Sequence, residues 1–128
     1  MTSFLRRAEP LCRGIAEAHG LSADVRGDIQ YPAMVCAPEA VDLGQEAAEA
    51  LYGPEAFVRM PTANMACEDF ARIAALVPGA QFGIGARPLA APPDAPFNHS
   101  PYVVFDDGAL PVGAALLAEV ADRRLRQG

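Results

Sequence analysis

Cys67-Glu68-Asp69-Phe70 runs through Val77-Pro78-Gly79 into Ala80-Gln81-Phe82-Gly83-Ile84-Gly85-Ala86, and the expected fold turns on this stretch. Phe70, Ile73, Ala74 and Val77 recur at helical spacing, and Pro78-Gly79 stops the helix. The residues that follow alternate, with Phe82 and Ile84 on one side and glycines on the other. That is the period of an extended strand whose glycines allow close backbone approach. Upstream, the short apolar run Ala56-Phe57-Val58-Arg59-Met60 before Pro61 reads as a buried strand. A helix precedes it, opening at Pro38-Glu39, carrying Val41, Ala48, Leu51 and Tyr52 on one face and ending at Gly53-Pro54. Strand after helix after strand predicts an α/β domain with a parallel layer.

Further out, Leu21, Ala23, Val25, Ile29 and Tyr31 alternate with polar residues. They predict a strand with a bulge at Gly27, closed by Pro32. Phe4, Leu11, Ile15 and Ala18 predict a helix before it, stopped at Gly20. Arg87 to Pro101 holds five of the twelve prolines and little apolar pattern, which makes it a loop. Asp106 or Asp107 can cap a last helix that bears Leu110, Ala114, Leu117, Ala121 and Leu125 along one face and Arg123, Arg124 and Arg126 near its end. A seam is expected between residues 1–35 and 36–128.

The 128 residues suffice for one compact domain, and no apolar run approaches the ~18 residues that a membrane span requires. Met1 to Arg7 has no apolar core leading to a small-residue cleavage site, so no secretory signal and a cytoplasmic location are expected. The net charge is −6, and all ten basic residues are Arg with no basic stripe. Nucleic acid is therefore not an expected partner. Cys12, Cys36 and Cys67 are three, widely spaced and without a CxxC, which argues against a disulfide framework and a cysteine zinc knuckle.

Two histidines with no HxxxH, HxH or DxH pair do not assemble a metal site, since a catalytic zinc needs about three protein ligands. His19 stands at a helix end, where it suits the terminal carbonyls. His99 sits in the proline-rich loop beside Asn98, Ser100 and Asp94, where a neutral imidazole could face a cleft or simply meet solvent. Glu68-Asp69, in the first turn of a predicted helix, is explained by the helix dipole alone. No serine lies in a GxSxG elbow and no cysteine has a histidine near it in sequence, so covalent catalysis has no support. Gly83-Ile84-Gly85 lacks the third glycine and the helix of a dinucleotide fingerprint.

Taken in order, Tyr31-Pro32, Leu51-Tyr52-Gly53, Cys67-Glu68-Asp69-Phe70, Val77-Pro78-Gly79, Phe82-Gly83-Ile84-Gly85, His99-Ser100-Pro101 and Phe105-Asp106-Asp107 with Ala109-Leu110-Pro111 resemble the aminoacylase and carboxypeptidase superfamily, in its hippurate hydrolase and N-acyl-amino-acid amidohydrolase branch. The resemblance spans nearly the whole chain. It implies a partial zinc-exopeptidase-like catalytic domain, with a parallel or mixed sheet and flanking helices over 36–128, preceded by the end of an α+β lid or dimerisation domain over 1–35. His99 matches the family's carboxy-terminal metal ligand for zinc, manganese or nickel. Glu68 and Asp69 match a Ser-Glu-Asp-Phe turn beside the cleft, with Gly85 and Cys36 as further substrate-side positions. The catalytic glutamate and remaining ligands would lie on an amino-terminal part, so no catalytic residue is assigned within these 128. Cys67 stands where the family has serine and Cys36 where it has asparagine, which puts specificity in doubt.

Three readings follow. The chain is the carboxy-terminal part of a metal amidohydrolase that cleaves N-acyl amino acids or short peptides through metal-activated water and is inactive alone. Alternatively, it is a non-catalytic interaction module, pairing with a separate amino-terminal half or with itself through residues 21–31. The third is an inactive remnant with an exposed sheet edge.

Overall fold

The computed structural model describes residues 2–66 and 68–127. Among the described residues four helices appear in order: α1 (Thr2–Ala18), α2 (Pro38–Tyr52), α3 (Ala71–Ala74) and α4 (Ala109–Gln127). The chain divides into two compact units, Met1–Pro32 and Ala33–Gly128.

In the first unit α1 carries Pro10 in its interior. It ends where the glycine permits it to: Gly20 takes φ +70, its N–H reaches the Glu17 carbonyl at 2.9 Å, and the Leu21 N–H reaches back to Ala16 at 2.9 Å. This pairing closes the last turn, and a glycine is the residue that adopts it without a Cβ penalty. Gly27 sits against Leu5, whose Cδ2 would lie 3.1 Å from an added Cβ. Phe4, Leu11 and Ile15, the apolar residues whose spacing predicts this helix, are exposed.

In the second unit α2 starts with Pro38 at its first turn after Ala37 and ends at Gly53, whose N–H bonds the Glu49 carbonyl at 2.8 Å. α2 packs against α4. Gly44, Ala47 and Ala48 are buried along α2, small residues that let neighbouring chain come close. Phe82 rests on Gly44, and Ile84 rests on Gly113 of α4. The third predicted helix shrinks to the single turn α3. Before α4, the Asp106 carboxylate accepts the Gly108 N–H at 2.8 Å, as a capping side chain should.

The expected α/β fold is not present. Among the described residues there is no strand and no sheet, either in the α+β segment expected within 1–35 or in the parallel or mixed sheet expected within 36–128. Segments 21–31, 56–60 and 80–86 do not form the strands that their alternation predicts. The physical reason is that alternation reports only which side of an extended chain meets apolar neighbours. A strand also needs a second extended backbone about 4.8 Å away, bonded repeatedly. Here the contacts are single: Ala37 N–H to the Gly79 carbonyl at 2.9 Å, and Asp106 N–H to the Ala86 carbonyl at 2.8 Å. Side chains hold the segments on the helices instead.

Candidate functional site

The second unit carries an open groove of about 600 Å³, walled by segments 56–60 and 81–85 and floored by α2 and α4. Its lining is mainly apolar. Phe57 and Phe82 meet edge to face, with centroids 5.9 Å apart and planes at 72°, the arrangement that ring quadrupoles favour. Arg59 fastens its wall to α2. Its Nη2 donates to Asp42 Oδ1 at 2.6 Å and to Gln45 Oε1 at 2.8 Å, and its Nε donates to Gln45 Oε1 at 3.0 Å. Gln45 in turn donates to Glu49 at 2.7 Å. Tyr52 also lines it, its hydroxyl donating to the Val112 carbonyl at 3.3 Å.

Three of the residues singled out from sequence converge here. Cys36 and Gly85 line the groove. Glu68 is tied to its wall, because Gln81, itself a lining residue, donates to Glu68 Oε2 at 2.8 Å. The Phe70 N–H adds a weaker bond to Glu68 Oε1 at 3.3 Å. These bonds hold the Glu68 carboxyl below its ordinary value, with Gln81 the largest cause, then the shared hydrogen bond with Asp69, then Phe70. Asp69 is exposed beside it. Gln81 carried no sequence signal. Only its polar character at an alternating position could have marked it. Cys67 lies outside the described residues.

His99 is elsewhere, and it is not among the residues that line the groove. It is exposed and takes φ +73, the one non-glycine residue with positive φ among the described residues. Its N–H donates to Asn98 Oδ1 at 3.1 Å. The Ser100 N–H returns to Phe97 at 3.1 Å, and the Tyr102 N–H meets Ser100 Oγ at 3.2 Å. Tight local turns therefore hold His99 in a conformation that costs about 1–2 kcal/mol for an L-residue. At the loop's start the Arg87 guanidinium donates to the carbonyls of Ala91 and Pro92. His19 ends α1, its N–H bonding Ala16 at 3.0 Å. Cys12 is exposed, Cys36 is half-buried, and both are unbridged.

The family model for Peptidase family M20/M25/M40 matches residues 14–123, most of the chain and both of its units. The chain belongs to this family. No solved structure matches it. M20 proteins are peptidases and amidohydrolases that generally use divalent metals. The described residues do not by themselves fit such an ion, since they hold no group of three or more His, Cys, Asp or Glu able to ligate one. A hydrolytic ion needs about three protein donors. No catalytic step through a metal is derived for these residues.

Proposed function

We propose that the chain serves as the carboxy-terminal portion of an M20 amidohydrolase acting on N-acyl amino acids of the hippurate type or on short peptides, and that it has no activity alone. In this reading residues 1–35 end a lid and 36–128 belong to the catalytic part. His99 contributes one donor to an ion, whether zinc, manganese or nickel, whose other ligands another polypeptide segment supplies. Glu68, Asp69, Gly85 and Cys36 act on the substrate side: the carboxylates orient polar groups, while Gly85 and Cys36 shape the wall.

The observation that carries this reading is the positive φ of His99. Strained backbone at a non-glycine residue persists when surrounding bonds over-determine it, and such residues concentrate at functional sites. The Asn98 and Ser100 bonds supply that restraint. Hippurate hydrolysis tests the reading. The chain alone, with zinc or manganese, should show no turnover. Co-expressed with an M20 amino-terminal segment that bears the remaining donors, it should hydrolyse hippurate, and His99→Ala should abolish that activity. Turnover by the lone chain, or full activity in the His99→Ala complex, would defeat the reading.

A further inference from the structure

The two walls of the groove are held in different ways. Segment 81–85 is pinned on either side by backbone bonds, Ala37 N–H to the Gly79 carbonyl and Asp106 N–H to the Ala86 carbonyl, and its Phe82 and Ile84 seat on glycines of the floor helices. The other wall, Ala56–Met60, belongs to a longer strap without such bonds. Among the described residues, no backbone–backbone hydrogen bond begins or ends on residues 57–66. The last bond before them joins the Ala56 N–H to the Gly53 carbonyl, and the next one after them ends on the Glu68 carbonyl. The Ala66 N–H meets only the nearby Asn64 side chain, at 3.1 Å. Every residue from Val58 to Ala66 is exposed, Val58 by 80%, Met60 by 68% and Met65 by 91%.

Two side chains tie this strap to the unit. Phe57 is half-buried and meets Phe82 edge to face. Arg59 reaches Asp42 and Gln45 on α2 through three hydrogen bonds. Because Gln45 donates its amide hydrogen to Glu49 at 2.7 Å, its carbonyl oxygen is the end turned to the guanidinium. The latch is therefore a row of polar groups along α2, and it is open to water, since the Arg59 and Asp42 side chains are both largely exposed. An exposed pair of this kind shifts an equilibrium by at most about fivefold. A segment with so few buried contacts and no backbone bonds opens on its own, well below the free energy of global unfolding.

We propose that residues 57–66 form a gate on the groove, closed by the Arg59 latch and the Phe57–Phe82 contact, and that its opening uncovers the apolar floor and Cys36. Access to the groove then rises with ionic strength, because the latch is ionic and exposed. The gate lies within the second unit and does not depend on the metal reading.

Cys36 lines the groove and is half-buried, so its thiol reports the opening. The experiment is alkylation of the full chain by iodoacetamide, a neutral reagent, followed by tryptic mapping. Cys12, Cys36 and Cys67 fall on separate peptides, which end at Arg13, Arg59 and Arg72. Exposed Cys12, in the first unit, is the internal reference. The Cys36 rate relative to Cys12 should rise about fivefold in the double variant Asp42→Ala/Gln45→Ala, whose alanines favour the helix and leave the tryptic map intact. In the parent chain it should rise about two- to threefold as salt goes from about 0.05 M to about 0.5 M, and in the double variant it should no longer respond. Ala121→Gly, on an exposed position of α4 away from the latch, weakens its helix and is the control for general destabilisation. It should lower the urea midpoint and leave the Cys36 rate nearly unchanged. Should the double variant lose its far-UV circular dichroism, the salt response of the parent decides alone. A Cys36 rate indifferent to salt, or to the folded double variant, would overturn the proposal. So would an acceleration by Ala121→Gly as large as the double variant's, because opening would then be unfolding of the whole unit.

Discussion

Gly44→Ala should destabilise the second unit even though alanine is the better helix former. A Cβ at Gly44 would lie 2.2 Å from Phe82 Cζ, 2.8 Å from Cε2 and 2.9 Å from Cε1. None of these distances is tolerable, so the ring must move. Moving it disturbs its seat on α2 and its edge-to-face contact with Phe57 at 5.9 Å. Displacement of this kind costs about 1–3 kcal/mol, while replacing glycine inside a helix returns about 1 kcal/mol. The expected net loss is about 1 kcal/mol. In a Phe82→Ala background the clash is gone and only the helix gain remains, so the same change should stabilise by about 1 kcal/mol. Urea unfolding followed by far-UV circular dichroism on all four chains of this cycle gives both signs. A Gly44→Ala chain that gains stability equally in both backgrounds would refute the packing of Phe82 on α2.

Gly14 in α1 has nothing within 4 Å of an added Cβ, so Gly14→Ala should raise thermal helix stability by about 0.5–1 kcal/mol, read by circular dichroism. Glu68→Gln removes a carboxylate whose folded value is lowered by Gln81, Asp69 and Phe70. Its stabilising contribution is present above the unfolded value near 4.5 and is lost as pH falls through the folded one. The stability difference between parent and variant should therefore be seen near neutral pH and vanish in acid, as urea midpoints under both conditions will show. Arg59→Ala should cost at most about 1 kcal/mol, because the pair with Asp42 is largely exposed, and the cost should shrink in high salt.

The long helices were legible because their signals are local. Pro38 and Gly53 bracket α2, Gly20 closes α1, and Asp106 precedes α4. Which face each helix buries was not legible. α4 carries two apolar stripes, and the longer one, through Leu110, Leu117 and Leu125, is the exposed one. The shorter stripe packs on α2, on the side where Gly113 lets Ile84 come close. The expected strands failed for a non-local reason: alternation at 80–86 sets which side Phe82 and Ile84 face, but no neighbouring backbone supplies a ladder among the described residues. At the candidate site, Glu68 and Cys36 could be picked out one by one, yet the Gln81 bond that joins Glu68 to the groove spans 13 residues and leaves no trace in local spacing. The strain at His99 was likewise invisible, although the turn-forming Asn98 and Ser100 beside it are the residues that impose it.

Calorimetric titration of the purified chain with zinc tests the central claim most directly, namely that these residues bring one side of a hydrolase site and a single histidine donor toward its ion. The expected result is weak, non-stoichiometric binding, with dissociation constants above about 10 µM and little change on His99→Ala. One ion bound per chain with submicromolar affinity would contradict the account.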